Sequence, residues 1–291
     1  MRFTARQLLI GAAVCAFLFT AILVSVYHTA QGRWLDNAAL EGFLSTLDTS
    51  REIRFADAIA RICDPLPFAL LASAVIGTAL TRRSPRRAAA AAALLLGSAA
   101  TTQILKPLLA EARFDGHVVG FDHIVDPVIA APAFPSGHAT AAMALTLAAL
   151  IVVPRAWRPL TAALGVLFAL AVGLAIVALA WHYPSDIVGG YLVATTWCLM
   201  SLAALRAADA RWPEPGTIRA RARTRAPAIR DALAPAAAVT AAAAAGTGLA
   251  RADRVVDYAQ AHTTATLAAV AITLCAAALV TAVSLVDNRL R

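Results

Sequence analysis

The sequence contains one lysine, four cysteines and few charges of either sign. The cysteines are scattered, and three of the four lie inside apolar runs, so their spacing fits neither a disulfide framework nor a metal site. Charged residues make up 14% of the 291 residues, whereas hydrophobic residues make up 60% and the mean hydropathy is +0.71. Because soluble domains are only about 45–50% apolar on a comparable count, the composition excludes an ordinary soluble domain and indicates a polytopic membrane protein.

Arginine supplies nearly all of the positive charge, and it lies in short blocks between apolar runs. This placement is typical of membrane topology and not of a nucleic-acid-binding surface. If the N-terminus is cytoplasmic, the cytoplasmic segments are 1–7, 82–87, 154–159, 206–231 and 287–291. These segments hold 17 basic and 4 acidic residues, whereas the rest of the chain holds 8 basic and 13 acidic residues. The positive-inside rule therefore predicts a multi-pass protein of the cell (inner) membrane with both termini in the cytoplasm.

Hydropathy predicts an all-α bundle of eight membrane-spanning helices, at residues 8–27, 66–81, 88–109, 139–153, 160–180, 187–205, 232–250 and 264–286. The first run is a span or, alternatively, a signal peptide, although it is longer than the usual signal and no clear cleavage site follows. The run at 232–250 is only moderately apolar. We expect a six-span domain at 1–205, a basic cytoplasmic linker at 206–231 and a two-span C-terminal extension at 232–291.

The segment between the first two spans, residues 28–64, is polar and mixed. Leu40, Phe43, Leu44 and Leu47 have helical spacing, which predicts an amphipathic helix on the membrane surface or over the bundle. Such a helix serves as a structural connector or, alternatively, as a gate for a substrate.

Three short polar motifs lie at the ends of apolar runs. One extends from Lys106, the lone lysine, to Arg113; the second is Pro-Ser-Gly-His at 135–138; the third extends from His182 to Asp186. The alternation of spans brings all three motifs to the extracytoplasmic surface, where all six histidines of the chain also fall. We therefore expect one site built from the three motifs.

The first two motifs contain groups that bind phosphate. Lys106 and Arg113 are seven residues apart and supply cationic contacts, and arginine can bind phosphate in a bidentate manner. Ser136 is a good helix N-cap and Gly137 allows close backbone approach, and the N–H groups at a helix start bind anions. Taken alone, Lys106 and Arg113 are also explained as cations at a membrane interface, and Ser136 and Gly137 as the start of a capped helix. Their convergence on one side predicts a phosphate site.

The third motif contains the groups expected of a nucleophile. Asp186 lies four residues after His182 and can accept the N–H of its imidazole, which leaves the other ring nitrogen as a nucleophile. His138 can then protonate the leaving oxygen. By itself the pair of His182 and Asp186 is also compatible with a plain surface hydrogen bond.

The loop between the third and fourth spans carries further polar residues. His117 and His123 are ordinary loop residues or additional phosphate contacts. A metal site is the other alternative, but the aspartates of this loop match no known metal-binding spacing; they are Asp115, Asp122 and Asp126. We therefore expect no bound metal.

These motifs resemble those of the type 2 phosphatidic acid phosphatase superfamily, whose pattern is Lys-x6-Arg-Pro, Pro-Ser-Gly-His and Ser-Arg-x5-His-x3-Asp. The resemblance covers about residues 66–205 and implies a lipid-phosphatase-like six-span core. The second motif matches fully, Phe114 stands at the proline of the first, and the third keeps its His-x3-Asp half. The Ser-Arg pair is replaced by Ala175-Ile176, so one phosphate-binding arginine is absent.

The resemblance implies that His182 forms a phosphohistidine, that His138 is the general acid, that Asp186 orients His182, and that no metal or other cofactor takes part. It assigns phosphate binding to Lys106, Arg113, Ser136 and Gly137. The expected protein is an integral-membrane hydrolase of a lipid phosphate or diphosphate, polyprenyl or glycerolipid, acting at the extracytoplasmic face. Its partners are this substrate and the bilayer, with no nucleic acid, and its oligomeric state is left open.

The absent arginine leaves three interpretations open. In the first, another group, such as His117 or His123, replaces the arginine. In the second, the substrate or the reaction differs, as in a lipid-linked phosphotransferase. In the third, the protein is a non-catalytic lipid-phosphate binder or transporter. Loss of one charged contact to a transition state typically costs about 100-fold in rate. The retained histidines and aspartate favour catalysis.

Overall fold

The computed structural model describes residues 3–47, 49–109, 133–212 and 252–290, and its regular structure there is helical. The helices are α1 (Ala5–His28), α2 (Ala30–Leu44), α3 (Ser50–Ala60), α4 (Pro65–Thr81), α5 (Pro85–Leu108), α6 (Gly137–Val152), α7 (Arg158–Ala178), α8 (Pro184–Arg211), α9 (Ala252–Ala261) and α10 (Thr263–Leu290). Short 3₁₀ turns at Arg61–Cys63 and Arg155–Trp157 precede α4 and α7. The predicted all-α class is confirmed.

Five of these helices are long and apolar enough to cross a membrane: α1, α5, α7 with its preceding turn, α8 and α10. A sixth candidate is the pair of α3 and α4, which is bent by 52° at the break between the two helices and is either a broken span or a re-entrant loop. The protein is therefore a multi-pass membrane protein. The predicted count of eight spans is not confirmed, and the run at 232–250 lies outside the described residues.

The two shortest predicted spans explain most of this difference. Helix α4 has 17 residues and α6 has 16. At about 1.5 Å per residue, 16 residues extend about 24 Å, which is less than the hydrocarbon core of about 30 Å. Most residues of α6 are buried inside the bundle, so its apolar character reflects packing against other helices rather than contact with lipid.

Helix α8 lies directly against the start of α6. A Cβ atom on Gly190 would come within 2.8 Å of the carbonyl oxygen of Ser136 and 2.9 Å of Oγ1 of Thr140. Only a glycine permits this approach, as is common where membrane helices pack closely. The second and third motifs are thus brought together by helix packing.

Arginines form contacts at the end of the bundle opposite the start of α6. Arg86, at the start of α5, forms an ion pair of 3.1 Å with Asp209 near the end of α8. Arg87 donates to the carbonyl oxygen of Ile151 in the last turn of α6, where cations stabilise the ends of helices. Helix α8 continues through 206–211, which sequence analysis assigned to the linker, because alanine and arginine favour helix.

The segment between the first two spans forms α2 and α3. Leu40, Phe43 and Leu44 lie in α2, which confirms a helix there, but α2 ends at Leu44, before Leu47. Leu40 and Phe43 are buried, which places the apolar side of α2 against the bundle. The C-terminal helices hold α2 through side-chain bonds to its backbone. Tyr258 donates to the carbonyl oxygen of Gly42 over 2.7 Å, and Thr264 donates to that of Ala38 over 3.0 Å.

Candidate active site

The third motif is positioned by the turn that ends α7. Trp181 N–H donates to the carbonyl oxygen of Ile176 and Ala180 N–H donates to that of Val177, both over 2.9 Å. This is a Schellman motif, in which the residue after the helix adopts a left-handed conformation. Ala180 has φ of 58°. The turn therefore leads the chain directly from the bundle core to His182.

Asp186 holds His182 and the start of α8 at the same time. Its Oδ2 accepts the main-chain N–H of Tyr183 over 3.0 Å and lies 3.3 Å from Nδ1 of His182. Asp186 is fully buried and His182 is 7% exposed. A proton on Nδ1 is therefore directed to the carboxylate, which leaves Nε2 as the nitrogen that carries the lone pair.

The second motif begins α6 next to this pair. Ser136 is the N-cap residue, its Oγ accepts the N–H of Ala139 over 3.3 Å, and its own N–H donates to the carbonyl oxygen of Asp186 over 3.0 Å. The N–H groups of Gly137 and His138 precede the first hydrogen bond within the helix. They form the anion-binding end of α6.

Lys106 of the first motif lies over the same helix start. Its Nζ is 3.6 Å from the position that a Cβ atom on Gly137 would occupy. Its ammonium also interacts electrostatically with Asp186 and with His138. A lysine beside the positive end of a helix is unfavourable unless an anion lies between them, so this arrangement suits a bound phosphate.

His138 contacts a carboxylate that sequence analysis did not identify. Its Nε2 lies 3.1 Å from Oδ1 of Asp64, and its ring centre is 5.6 Å from that of Trp181. Asp64 is the N-cap residue of α4. Its place before an apolar run indicates a helix start, but a contact across 74 residues leaves no local signal in the sequence.

A second unpredicted contact joins α2 to the third motif. Both the N–H and the Oγ–H of Ser185 donate to the carboxylate of Asp36, which is 7% exposed. Ser185 lies in the first turn of α8, between His182 and Asp186 in position along the chain. Helix α2 is therefore tied to the same turn that carries the histidine.

Three predicted site residues, Arg113, His117 and His123, lie outside the described part of the chain, so their contacts with phosphate stay predictions. Ala175 and Ile176, at the positions of the absent Ser-Arg pair, belong to the last turn of α7, and Ile176 is fully buried in the apolar core.

Residues 87–209 match the family model of the PAP2 superfamily. Comparisons with curated proteins and with solved structures give no match. The matched range extends from the start of α5 to near the end of α8, and it includes Lys106, His138, His182 and Asp186. The part of the chain that carries the three motifs therefore belongs to the PAP2 superfamily, and this membership indicates a membrane phosphatase.

Proposed function

We propose that the protein hydrolyses the phosphate or diphosphate of a membrane lipid through a phosphohistidine on His182. The observation that carries this proposal is the geometry of His182, whose Nδ1 is directed to the buried carboxylate of Asp186. A neutral imidazole with Nδ1 protonated has its lone pair on Nε2, which is the requirement for attack on phosphorus.

The first chemical step forms a bond between Nε2 of His182 and phosphorus and breaks the bond between phosphorus and the lipid oxygen. The lipid oxygen keeps the electron pair and takes a proton from His138. Asp186 stabilises the positive charge that develops on the His182 ring. The lipid leaves as an alcohol, or as a monophosphate if the substrate is a diphosphate.

The second step releases phosphate. A water molecule attacks phosphorus, the bond between phosphorus and Nε2 of His182 breaks, and the ring nitrogen recovers its electron pair. His138, which gave up its proton in the first step, accepts a proton from the attacking water. Both residues thereby return to their starting protonation states.

The phosphate oxygens are proposed to contact Lys106, the N–H groups at the start of α6 including that of Gly137, and Ser136. Arg113 is proposed as a bidentate partner. His117 and His123 are proposed to supply contacts in place of the arginine that is absent at Ile176. Charge developing on the equatorial oxygens is stabilised by these groups more strongly than in water, because the site is partly buried.

The substrate class follows from the location of the site in the bundle. The site lies at the end of α5 and the starts of α6 and α8, away from the Arg86–Asp209 pair. The distribution of basic residues assigns the Arg86 end to the cytoplasm, so we place the site at the extracytoplasmic face. A lipid whose tail stays in the bilayer can present its headgroup there, and polyprenyl and glycerolipid phosphates satisfy this requirement.

The test is release of phosphate by the detergent-solubilised protein from a prenyl diphosphate, a prenyl monophosphate, phosphatidic acid and phosphatidylglycerol phosphate. We expect release that persists in EDTA and that falls by roughly 10³-fold or more in His182→Ala. His28→Ala is the matched control, because His28 is an exposed histidine at the end of α1. A ³²P label on the wild-type protein that is lost in acid and kept in alkali identifies the phosphohistidine. Activity of His182→Ala equal to that of His28→Ala contradicts the proposal.

The buried Ile176 is the observation that favours a second candidate. Without the arginine, the same phosphohistidine can serve a phosphotransferase that passes phosphate to a sugar or lipid acceptor, and phosphate then appears in an acceptor-dependent product. In the non-catalytic alternative, a lipid-phosphate binder or transporter, vesicle-reconstituted protein binds or moves the lipid and releases no phosphate.

A further inference from the structure

We propose that Asp64 is the positioning residue for His138, so that each of the two histidines of the site has its own aspartate. The pairs are His182 with Asp186 and His138 with Asp64. This inference rests on the proposed function and deepens it, because it assigns a role to a residue outside the three motifs and outside the matched range 87–209. It is carried by the distance of 3.1 Å between Nε2 of His138 and Oδ1 of Asp64.

The local sequence explains why this carboxylate is available. An aspartate at an N-cap ordinarily accepts the N–H of the second or third helical residue. Here the third residue, Pro67, has no N–H, and Asp64 forms no side-chain bond to the N–H of the second residue, Leu66; α4 also begins with a proline, Pro65. The prolines start the helix through their backbone geometry, and the Asp64 side chain contacts His138 instead.

The backbone before α4 aims this side chain at the site. The chain bends by 52° between α3 and α4, through the 3₁₀ turn Arg61–Cys63. The N–H of Asp64 donates to the carbonyl oxygen of Arg61 over 3.1 Å, and the carbonyl oxygen of Asp64 accepts the N–H of Phe68 over 2.9 Å. Both main-chain groups of Asp64 are bonded, so the carboxylate is held at a defined place beside α6.

The charges around His138 indicate what this contact does. Burial has the largest effect on His138 and lowers its pKa. His182 of the α7–α8 turn and Lys106 of α5 also disfavour a positive charge on His138, whereas Asp64 favours it. Arg61 lies behind Asp64, with Nη1 3.9 Å from Oδ2, and Asp186 faces His182 and Lys106. Asp64 is therefore the carboxylate bonded to His138, and it stabilises the imidazolium that a general acid must form in this cationic site.

The contact between Asp64 and His138 also gives the two ring nitrogens of His138 different roles. With the Nε2 proton directed to Asp64, Nδ1 carries the proton that passes to the leaving oxygen. After transfer, Nδ1 has the lone pair that accepts a proton from water in the second step. Asp64 acts through His138 without touching the substrate, as a third group that orients the base does in other enzymes.

The first experiment compares Asp64→Asn with Asp57→Asn in the detergent-solubilised protein. Asp57 is the matched control, since it lies in the last turn of α3, just before the bend, and its carboxylate binds the same Arg61 at 2.6 Å. We expect Asp64→Asn to lower kcat on a lipid monophosphate by roughly 10–100-fold and to move the alkaline limb of the pH–rate profile to lower pH. We expect Asp57→Asn to change neither quantity, and Asp64→Glu to recover part of kcat.

The leaving group separates a role in proton transfer from a structural one. A nitrophenyl phosphate departs as a stable phenolate and needs little protonation, whereas an alkyl phosphate needs a general acid. Asp64→Asn is therefore expected to lower turnover of the aryl ester much less than turnover of the lipid ester. Equal losses on both esters, or an unchanged pH profile, overturn the role of Asp64 and leave the phosphohistidine proposal standing.

A measurement without turnover keeps the inference testable if none of the lipids is hydrolysed. NMR of the protein labelled with ¹⁵N-histidine, with His138→Gln for assignment, follows the protonation of His138 directly. We expect its titration midpoint to move to lower pH in Asp64→Asn and to stay unchanged in Asp57→Asn. A midpoint that is the same in wild type and Asp64→Asn overturns the inference, whatever the activity of the protein is.

Discussion

The main-chain N–H of Ser136 donates to the main-chain carbonyl oxygen of Asp186 over 3.0 Å. This bond joins the start of α6 to the first turn of α8 and links the two motifs that carry the histidines. Because it connects backbone atoms, the spacing between His138 and His182 is set by the packing of the two helices. The contact of Asp186 with His182 adds the orientation of the ring.

Asp186→Asn is expected to lower kcat by about 10²–10⁴-fold with little effect on folding. An asparagine oxygen can still accept the N–H of Tyr183, so the start of α8 is kept. The neutral amide does not stabilise a positive charge on the His182 ring, and its NH₂ group can favour the wrong tautomer. The measurement is kcat on the best lipid substrate together with the yield of ³²P-labelled protein.

Asp209→Asn is the control for that variant, because Asp209 pairs with Arg86 at the far end of the bundle. A partly exposed ion pair contributes about 1 kcal/mol or less, so we expect activity near that of wild type. A loss in Asp209→Asn that equals the loss in Asp186→Asn contradicts a specific role for Asp186.

Gly190→Ala is expected to destabilise the protein by about 1–3 kcal/mol and to lower activity. The added Cβ would lie 2.8 Å from the carbonyl oxygen of Ser136 and 2.9 Å from Oγ1 of Thr140. Since backbone cannot yield cheaply, α6 must move away from α8, which lengthens the bond between Ser136 and Asp186. Thermal unfolding in detergent and phosphate release measure the two effects.

Gly77→Ala provides the opposite result in the same type of experiment. Gly77 lies inside α4, and no atom is within 4 Å of the position of an added Cβ. We expect a gain of about 0.5–1 kcal/mol, because alanine loses less conformational entropy than glycine in a helix. If both glycine variants shift Tm in the same direction, packing between α6 and α8 is not the cause.

Ala180→Gly is expected to raise stability by about 1 kcal/mol while leaving activity unchanged. Ala180 has φ of 58°, a conformation that costs a residue with a Cβ about 1–2 kcal/mol and that glycine adopts freely. Ala178→Gly, two residues earlier and at the last residue of α7, is expected to lower stability by up to about 1 kcal/mol. The check is the difference in Tm between the two variants, and a lower Tm for Ala180→Gly contradicts the prediction.

Restoring the absent arginine, with Ile176→Arg and Ala175→Ser together, is expected to raise phosphate release by about 10–100-fold. Ile176 lies in the last turn of α7, six residues before His182 in the chain, and it is fully buried. A guanidinium placed there gains by binding phosphate and loses by displacing apolar packing. Phosphate release and Tm are measured side by side, with Ala175→Ser alone as the control. No gain in release from a folded variant indicates a pocket built around another cation or another substrate.

The sequence by itself determined the class of the protein and three parts of its site. Apolar runs and helix-forming residues act locally, so hydropathy predicts an all-α, multi-pass protein. The motifs around Lys106, His138 and His182 are also short, and each can be recognised without knowledge of any distant residue. The match of residues 87–209 to the PAP2 superfamily agrees with what these motifs predict.

The tertiary structure decided which apolar helices are covered by their neighbours and which aspartates reach the site. The hydropathy of an apolar run is the same whether neighbouring helices or lipid cover it, so the burial of α6 inside the bundle could not be predicted from its sequence. Asp64 is 74 residues from His138, and Asp36 is 149 residues from Ser185. Contacts at such separations depend on helix bends and packing, which no local pattern of residues encodes.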